Sequence, residues 1–236
     1  MRILELTLSA IDIVVLRQFY CAILGLREVG RIGDENLVVQ TGDTLLSFRQ
    51  ADPGWLGRYH FAFDVPANRF NAAAAWLKER RSPLAGADGR TIFHSAGWNS
   101  DSVYFSDPQG NILELIARHT KAVPNPSSLP ADRPFNPNEI MCISEIGLCS
   151  EQVAGSAATL LSHLPGLVTY DGEGSDQFTA LGDLNGLLIL VHHGRIWMPN
   201  SGVAVDFLPL EVLLELETRR RFRISAPPYP FQVVAV

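Results

Sequence analysis

Cysteine is scarce. Cys21, Cys142 and Cys149 are the only three in 236 residues, and none sits in a CxxC pair. This excludes a disulfide scaffold and points to a reducing compartment. No histidine or basic cluster lies beside any of them in sequence, so none reads as an activated thiol. Positive charge is also short: 19 Lys and Arg against 25 Asp and Glu give a formal net charge of −6. A mildly acidic chain without a basic run does not grip nucleic acid or an anionic membrane. No apolar stretch reaches the ~18 residues of a transmembrane helix. The opening MRILELTLSAID meets Glu5 before any long apolar run, so it does not read as a signal peptide, and a cytoplasmic setting is expected. Walker A, GxGxxG, HExxH and GxSxG patterns are all absent. What remains is an ordinary globular composition, 47% hydrophobic and 19% charged, long enough for one large domain or two small ones.

One segment interrupts the chain. His119 to Asn138 carries prolines at 124, 126, 130, 134 and 137, a density that stops helix and strand. The sequence therefore predicts a domain over 1–120, a linker over 121–137 and a smaller domain over 138–236. In the first, Ile3–Ser9 alternates as a strand, with Leu4, Leu6 and Leu8 on one face and Glu5, Thr7 and Ser9 on the other. Asp12 caps a helix that carries Leu16, Phe19, Tyr20, Ile23 and Leu24 and stops at Gly25. Strands follow near 36–40 and 44–49. A second unit opens at Tyr59, continues through a helix over 69–81, and closes with strands at 102–106 and 111–118. Asp107-Pro108-Gln109-Gly110 joins these two strands as a type I turn. Both units read strand, helix, strand, strand, strand. A third begins at 143–149, with a helix over 153–163 and a strand over 187–191, and a fragment begins near 202–207. Glu5 and Glu145, and Gly42-Asp43 and Gly182-Asp183, share an offset of 140 residues, which reads as an internal repeat. The fold class is α+β, built from tandem βαβββ modules. Two modules form a cupped mixed sheet in the first domain, and one module plus a fragment forms the second.

Glu5, His60 and Glu114 stand out because each is a polar residue in a strand whose other face is apolar. Glu114 lies in Ile-Leu-Glu-Leu-Ile-Ala, apolar on both faces, where an unpaired carboxylate costs several kcal/mol. It needs a partner. If first strands of similar units pack together, a histidine and two carboxylates converge on one cavity. Such a set suits a divalent cation. A metal-free network, with His60 protonated between two carboxylates, satisfies the same residues.

The run S102-V-Y-F-S-D-P-Q-G-N-I-L-E-L-I-A-R118 resembles the last hairpin of the vicinal oxygen chelate superfamily, which includes glyoxalases, bleomycin and fosfomycin resistance proteins and extradiol dioxygenases. R58-Y-H-F-A-F-D-V65 resembles its second-module opening, and L4-E-L-T-L-S-A-I-D12 with F19-Y20 and L24-G25-L26 its first. The resemblance implies metal ligands at Glu5, His60 and Glu114. Glu5 departs from the usual His or Gln, and the stretch 44–49 offers no His, Asp or Glu for a further ligand. The implied cofactor is a divalent ion: Fe, Mn, Zn or Ni. His94 and Tyr104 are candidate proton-handling residues, with Trp98 and Asn99 beside them. Glu145 holds the first-strand position of the third unit, while His192 and His193 read as surface or packing residues and Arg219-Arg220-Arg221 as a helix end. The implied activity is that of a metalloenzyme acting on a small substrate that chelates through neighbouring oxygens, with a lean toward ring cleavage. The alternative is a metal-free small-molecule binding protein of the bleomycin-resistance type. A homodimer through an edge strand is a further expectation.

Overall fold

The computed structural model describes residues 1–30, 35–121, 133–170, 172, 174–227 and 231–236. Most of the expected linker, 122–132, lies outside the described residues. The elements in chain order are β1 (Arg2–Ala10), α1 (Ile13–Arg17), β2 (Arg27–Glu28), β3 (Asn36–Thr41), β4 (Thr44–Gln50), β5 (His60–Asp64), α2 (Phe70–Arg80), β6 (Ile92–Ser95), β7 (Ser100–Ser106), β8 (Ile112–Arg118), β9 (Cys142–Ser150), α3 (Val153–His163), β10 (Phe178–Asp183), β11 (Gly186–His192), β12 (Leu210–Glu215), β13 (Arg221–Ala226) and β14 (Gln232–Ala235). No helix among the described residues is long and apolar enough to cross a membrane.

The strands form two seven-stranded sheets. One has the order β14-β13-β12-β1-β4-β3-β2 and the other β10-β11-β9-β5-β8-β7-β6. Each module places its first strand parallel to its last: β1 with β4, β5 with β8, β9 with β11. Modules then join through their first strands, antiparallel. Here the structure departs from the sequence reading. The second module pairs with the third (β5 with β9), and the first pairs with the terminal fragment (β1 with β12). Both sheets therefore cross the expected boundary at 121–137. The physical reason is that alternation fixes which face of a strand is buried but not which neighbour takes its open edge.

Helices and sheets share one main core. Ile13, Leu16, Phe19 and Tyr20, Phe70 and Leu77, and Val153 and Leu160 pack with Leu6, Leu46, Phe61, Phe63, Leu113 and Leu188. Thr44 stitches the sheets together: its hydroxyl donates to the Ile3 carbonyl (2.7 Å) and accepts from the Ile143 amide (3.1 Å). Buried Arg69 donates to Glu139 (2.7 Å) and to the Arg133 carbonyl (2.6 Å), clamping the chain ahead of β9.

Several elements differ in detail. Asp12 caps α1, accepting from the Val15 amide at 2.9 Å, but the helix widens into a π-helical turn over Gln18–Ile23 before Gly25 (φ +74°) ends it. A bulge between Ile3 and Glu5 in β1 buries Ile3 and leaves Leu4 half-buried, so the leucine face of the strand is Leu6 and Leu8 alone. Among the described residues the third module has two strands after its helix, not three, and the fragment has no helix: β12, β13 and β14 form a meander. The 202–207 stretch, expected to open it, holds only a bridge between Ile196 and Ala204. Arg219, at φ +59°, sits in the β12–β13 turn, not at a helix end.

Candidate metal centre

The face of the second sheet turned away from the main core forms a cup. Tyr104, Ile112, Ala180, Leu187, Ile189, Val191, Trp197, Val203 and Val205 make its apolar lining. It encloses a cavity of about 310 Å³.

Register places the polar residues at its floor. Ala62 on β5 lies opposite Glu114 on one side and Glu145 on the other, so both carboxylates share the face of Ala62 and of His60, two residues earlier. A bulge in β9 at Ser144 falls next to Glu145, the kind of irregularity that re-aims a side chain beside a site. The result is a buried cluster of His60, Glu114 and Glu145, whose potential ligand atoms all lie within 4.8 Å of one another.

The partners of each group fix its role. His60 Nδ1 lies 3.0 Å from the Ile112 carbonyl, which can only accept, so Nδ1 carries the proton. Nε2 is left with its lone pair, 3.7 Å from Glu114 Oε2. A carbonyl on Nδ1–H fixes the tautomer and turns Nε2 toward a metal, as in a ligating histidine. Burial lowers the His60 pKa to about 4, so the ring is neutral. Glu114 is pushed up to about 8, first by burial and then by the Glu145 charge, while the Ser102 and Tyr104 hydroxyls that hydrogen-bond to it pull it back. Burial raises Glu145 to about 7 against the opposing pull of Arg118. Arg118, fully buried, donates to Glu145 and to the Ser144 hydroxyl (3.0 Å), and lies 3.5 Å from Asp64. Burial and Glu114 push the Tyr104 phenol well above its ordinary range.

The donor set fits a divalent cation. It offers one neutral imidazole nitrogen and two carboxylates, one of them shared with Arg118, while water or substrate can complete the shell. Trp197 covers the cluster, its ring 4.7 Å from that of His60. Gly147 makes this cover fit, because a Cβ there would lie 2.4 Å from Trp197 Cη2.

Of the residues expected from sequence, His60, Glu114 and Tyr104 come together and Trp98 lines the same cavity. Glu5 does not. It lies in the first sheet, 41% exposed, 3.7 Å from Arg223. The correction follows from module pairing: Glu145, one repeat later, has the place assigned to Glu5. The 140-residue offset was the signal that could have found it. His94 also falls outside. It pairs across strands with Asp101, on the face of β7 opposite Ser100, Ser102 and Tyr104, and contacts Asp101 at 3.0 Å. Asp101 accepts from His119 as well (2.9 Å). Asn99 shapes the β6–β7 turn at φ +44°. His193 is a surface residue between Glu151 and Asp206.

The first sheet has equivalent positions with different chemistry, although β13 runs antiparallel to β12 where β8 runs parallel to β5. Opposite Glu5 stands Leu213, where the second sheet has Ala62. Two residues earlier Glu211 takes the place of His60. Arg223, opposite Leu213, takes that of Glu114. Arg223 binds Glu211 (3.1 Å), and Arg49 binds Glu211 (2.9 Å).

No family model matches the chain, and no curated protein matches it. Solved structures do. A candidate dioxygenase from Bacillus subtilis superposes with a TM-score of 0.61 at 17% identity, covering 100% of this chain and 84% of that one. A glyoxalase I point mutant from Zea mays gives 0.53 at 13% identity, covering 96% and 89%. At these identities the likeness speaks for architecture, and on that ground the chain has the fold of the vicinal oxygen chelate superfamily.

Proposed function

We propose that the chain is a divalent-metal-dependent enzyme of the glyoxalase and extradiol-dioxygenase type, acting on a small molecule that binds through two neighbouring oxygens. The observation that carries this is the convergence of His60 Nε2, Glu114 and Glu145 at the floor of an aromatic-walled cavity. The fold supports the class; the chemistry rests on the site. A dication held there would supply Lewis acidity, stabilising negative charge on the substrate oxygens.

The chain's own residues do the rest. Ile112 holds the imidazole in its ligating tautomer. Arg118 holds one Glu145 oxygen and so orients the carboxylate. Ser102 and Tyr104 hold Glu114. Tyr104, protonated and bonded to Glu114, is the hydroxyl placed to pass a proton to or from a bound substrate. Trp98, Phe178 and Trp197 exclude water and offer flat walls to a ring. His94 faces away and takes no part.

Elemental analysis of protein purified without chelator tests this reading. We expect close to one equivalent of metal, falling at least tenfold in His60→Ala, Glu114→Gln and Glu145→Gln, and unchanged in Glu5→Gln. Iron would direct assays toward dioxygen chemistry, and zinc, nickel or manganese toward isomerase or lyase chemistry. A metal-free binding protein is the second reading, favoured by the Arg118–Glu145 contact, which already neutralises one carboxylate. Failure to take up Fe(II), Mn(II) or Zn(II) would establish it over the first.

A further inference from the structure

We propose that Arg195 makes the mouth of the cavity a carboxylate-reading site. The substrate is then a flat molecule with an anionic carboxylate at the end remote from its chelating oxygens. The proposal rests on the metalloenzyme reading and adds the substrate's charge to it.

Three charged residues line the cavity: Glu114 and Glu145 at the floor, and Arg195, its one cation among the described residues. The floor carboxylates have partners within the protein, Glu145 in Arg118 and Glu114 in Ser102 and Tyr104. Arg195 has no carboxylate partner among the described residues. The acidic residue of its own hairpin, Asp206, turns to His193 (3.6 Å). The arginine is nevertheless held in place. Its amide donates to the His192 carbonyl (3.2 Å), and its carbonyl accepts from the Val205 amide (2.8 Å). Its guanidinium lies over the Phe178 ring at 5.4 Å. A guanidinium over a ring in this way still has N–H groups to offer a planar acceptor, and a carboxylate can take two of them at once. Trp98, 6.2 Å from Phe178, continues the wall on which the guanidinium rests. A ring between these walls would present one end to the floor and the other to Arg195.

Tryptophan-fluorescence titrations separate the two ends. In chelator-treated protein, benzoate should bind about tenfold more tightly than benzyl alcohol. Arg195→Gln should abolish that preference, and Arg195→Lys, which keeps the charge and loses the two-bond fork, should keep only part of it. In Mn(II)-loaded protein, 3,4-dihydroxybenzoate should show the same preference over catechol, and Arg195→Gln should leave catechol unchanged. Absence of a carboxylate preference in the wild type, or its survival in Arg195→Gln, overturns the proposal. If catechol binds loaded and chelator-treated protein alike, the metal reading fails, and the benzoate comparison still decides the role of Arg195.

Discussion

At His60 one hydrogen bond decides which nitrogen is available. With Nδ1–H given to the Ile112 carbonyl, Nε2 is the atom that faces two buried carboxyls. Without a cation those carboxyls repel and are poorly solvated, and this has a measurable sign. Glu114 at about 8 and Glu145 at about 7 lie above the ordinary carboxylate value of 4.5. The folded state therefore binds more protons than the unfolded one across that interval, and stability falls as pH rises through it. His60, lowered from 6.5 to about 4, acts in the opposite sense, and its contribution levels off above about pH 7. Between about pH 7 and 8 the two carboxyls outweigh it. Melting of chelator-treated protein should fall over this range, Glu114→Gln should flatten the fall, and metal should remove it. A melting temperature that rises over the same range would contradict the coupling. Much of this was legible in sequence. A carboxylate inside Ile-Leu-Glu-Leu-Ile-Ala and a histidine in an apolar strand announce buried partners by themselves. Which third residue they meet does not follow from either strand, since that is a property of sheet order.

Among the elements, the turn between β7 and β8 does more than reverse the chain. Gly110 supplies the positive φ (+83°) that closes it. Asp107 accepts from the Gln109 amide (2.9 Å), the Asn111 amide (3.0 Å), the Asn111 side chain (2.7 Å) and the Tyr20 hydroxyl (3.0 Å). Asn111 in turn accepts from the Tyr59 amide (2.8 Å). The turn thus bonds the π-helical segment of the first module to the strand that carries Glu114. Asp107→Ala strands several buried donors and should cost about 3 kcal/mol in chemical denaturation, with metal content retained in the fraction that folds. A cost below about 0.5 kcal/mol would show that the network is dispensable. The turn was readable because Asp-Pro-x-Gly imposes its own geometry. The π-helical widening, the two bulges and β6 were not, because each depends on what packs against it.

On the scale of the whole molecule, the chain is interlaced. Strands from both sides of 122–132 share each sheet, and the candidate metal centre takes His60 and Glu114 from one side and Glu145 from the other. A protease site inserted in that segment and cut should leave the two pieces co-eluting in size-exclusion chromatography with their metal. Separation of the pieces would restore the division at 121–137. The proline-rich composition reports only where helix and strand are disfavoured. It does not report where the next element docks.

The two sheets differ in what balances the charge at their equivalent positions, and this gives the fold a link to its surroundings. In the first sheet Arg223 and Arg49 are counterions encoded in the chain, present at fixed stoichiometry whatever the surroundings. In the second, two carboxyls share one buried guanidinium, and the remaining balance comes either from protons or from a cation drawn from solution. On the metalloenzyme reading, the balance in the first sheet is fixed by sequence, while binding in the second adds RT ln(1 + [M]/Kd) to the stability of the fold. Because both sheets share one main core, the whole chain gains that term. The free metal concentration would then govern how much of the chain is folded, and scarcity would expose it to proteolysis.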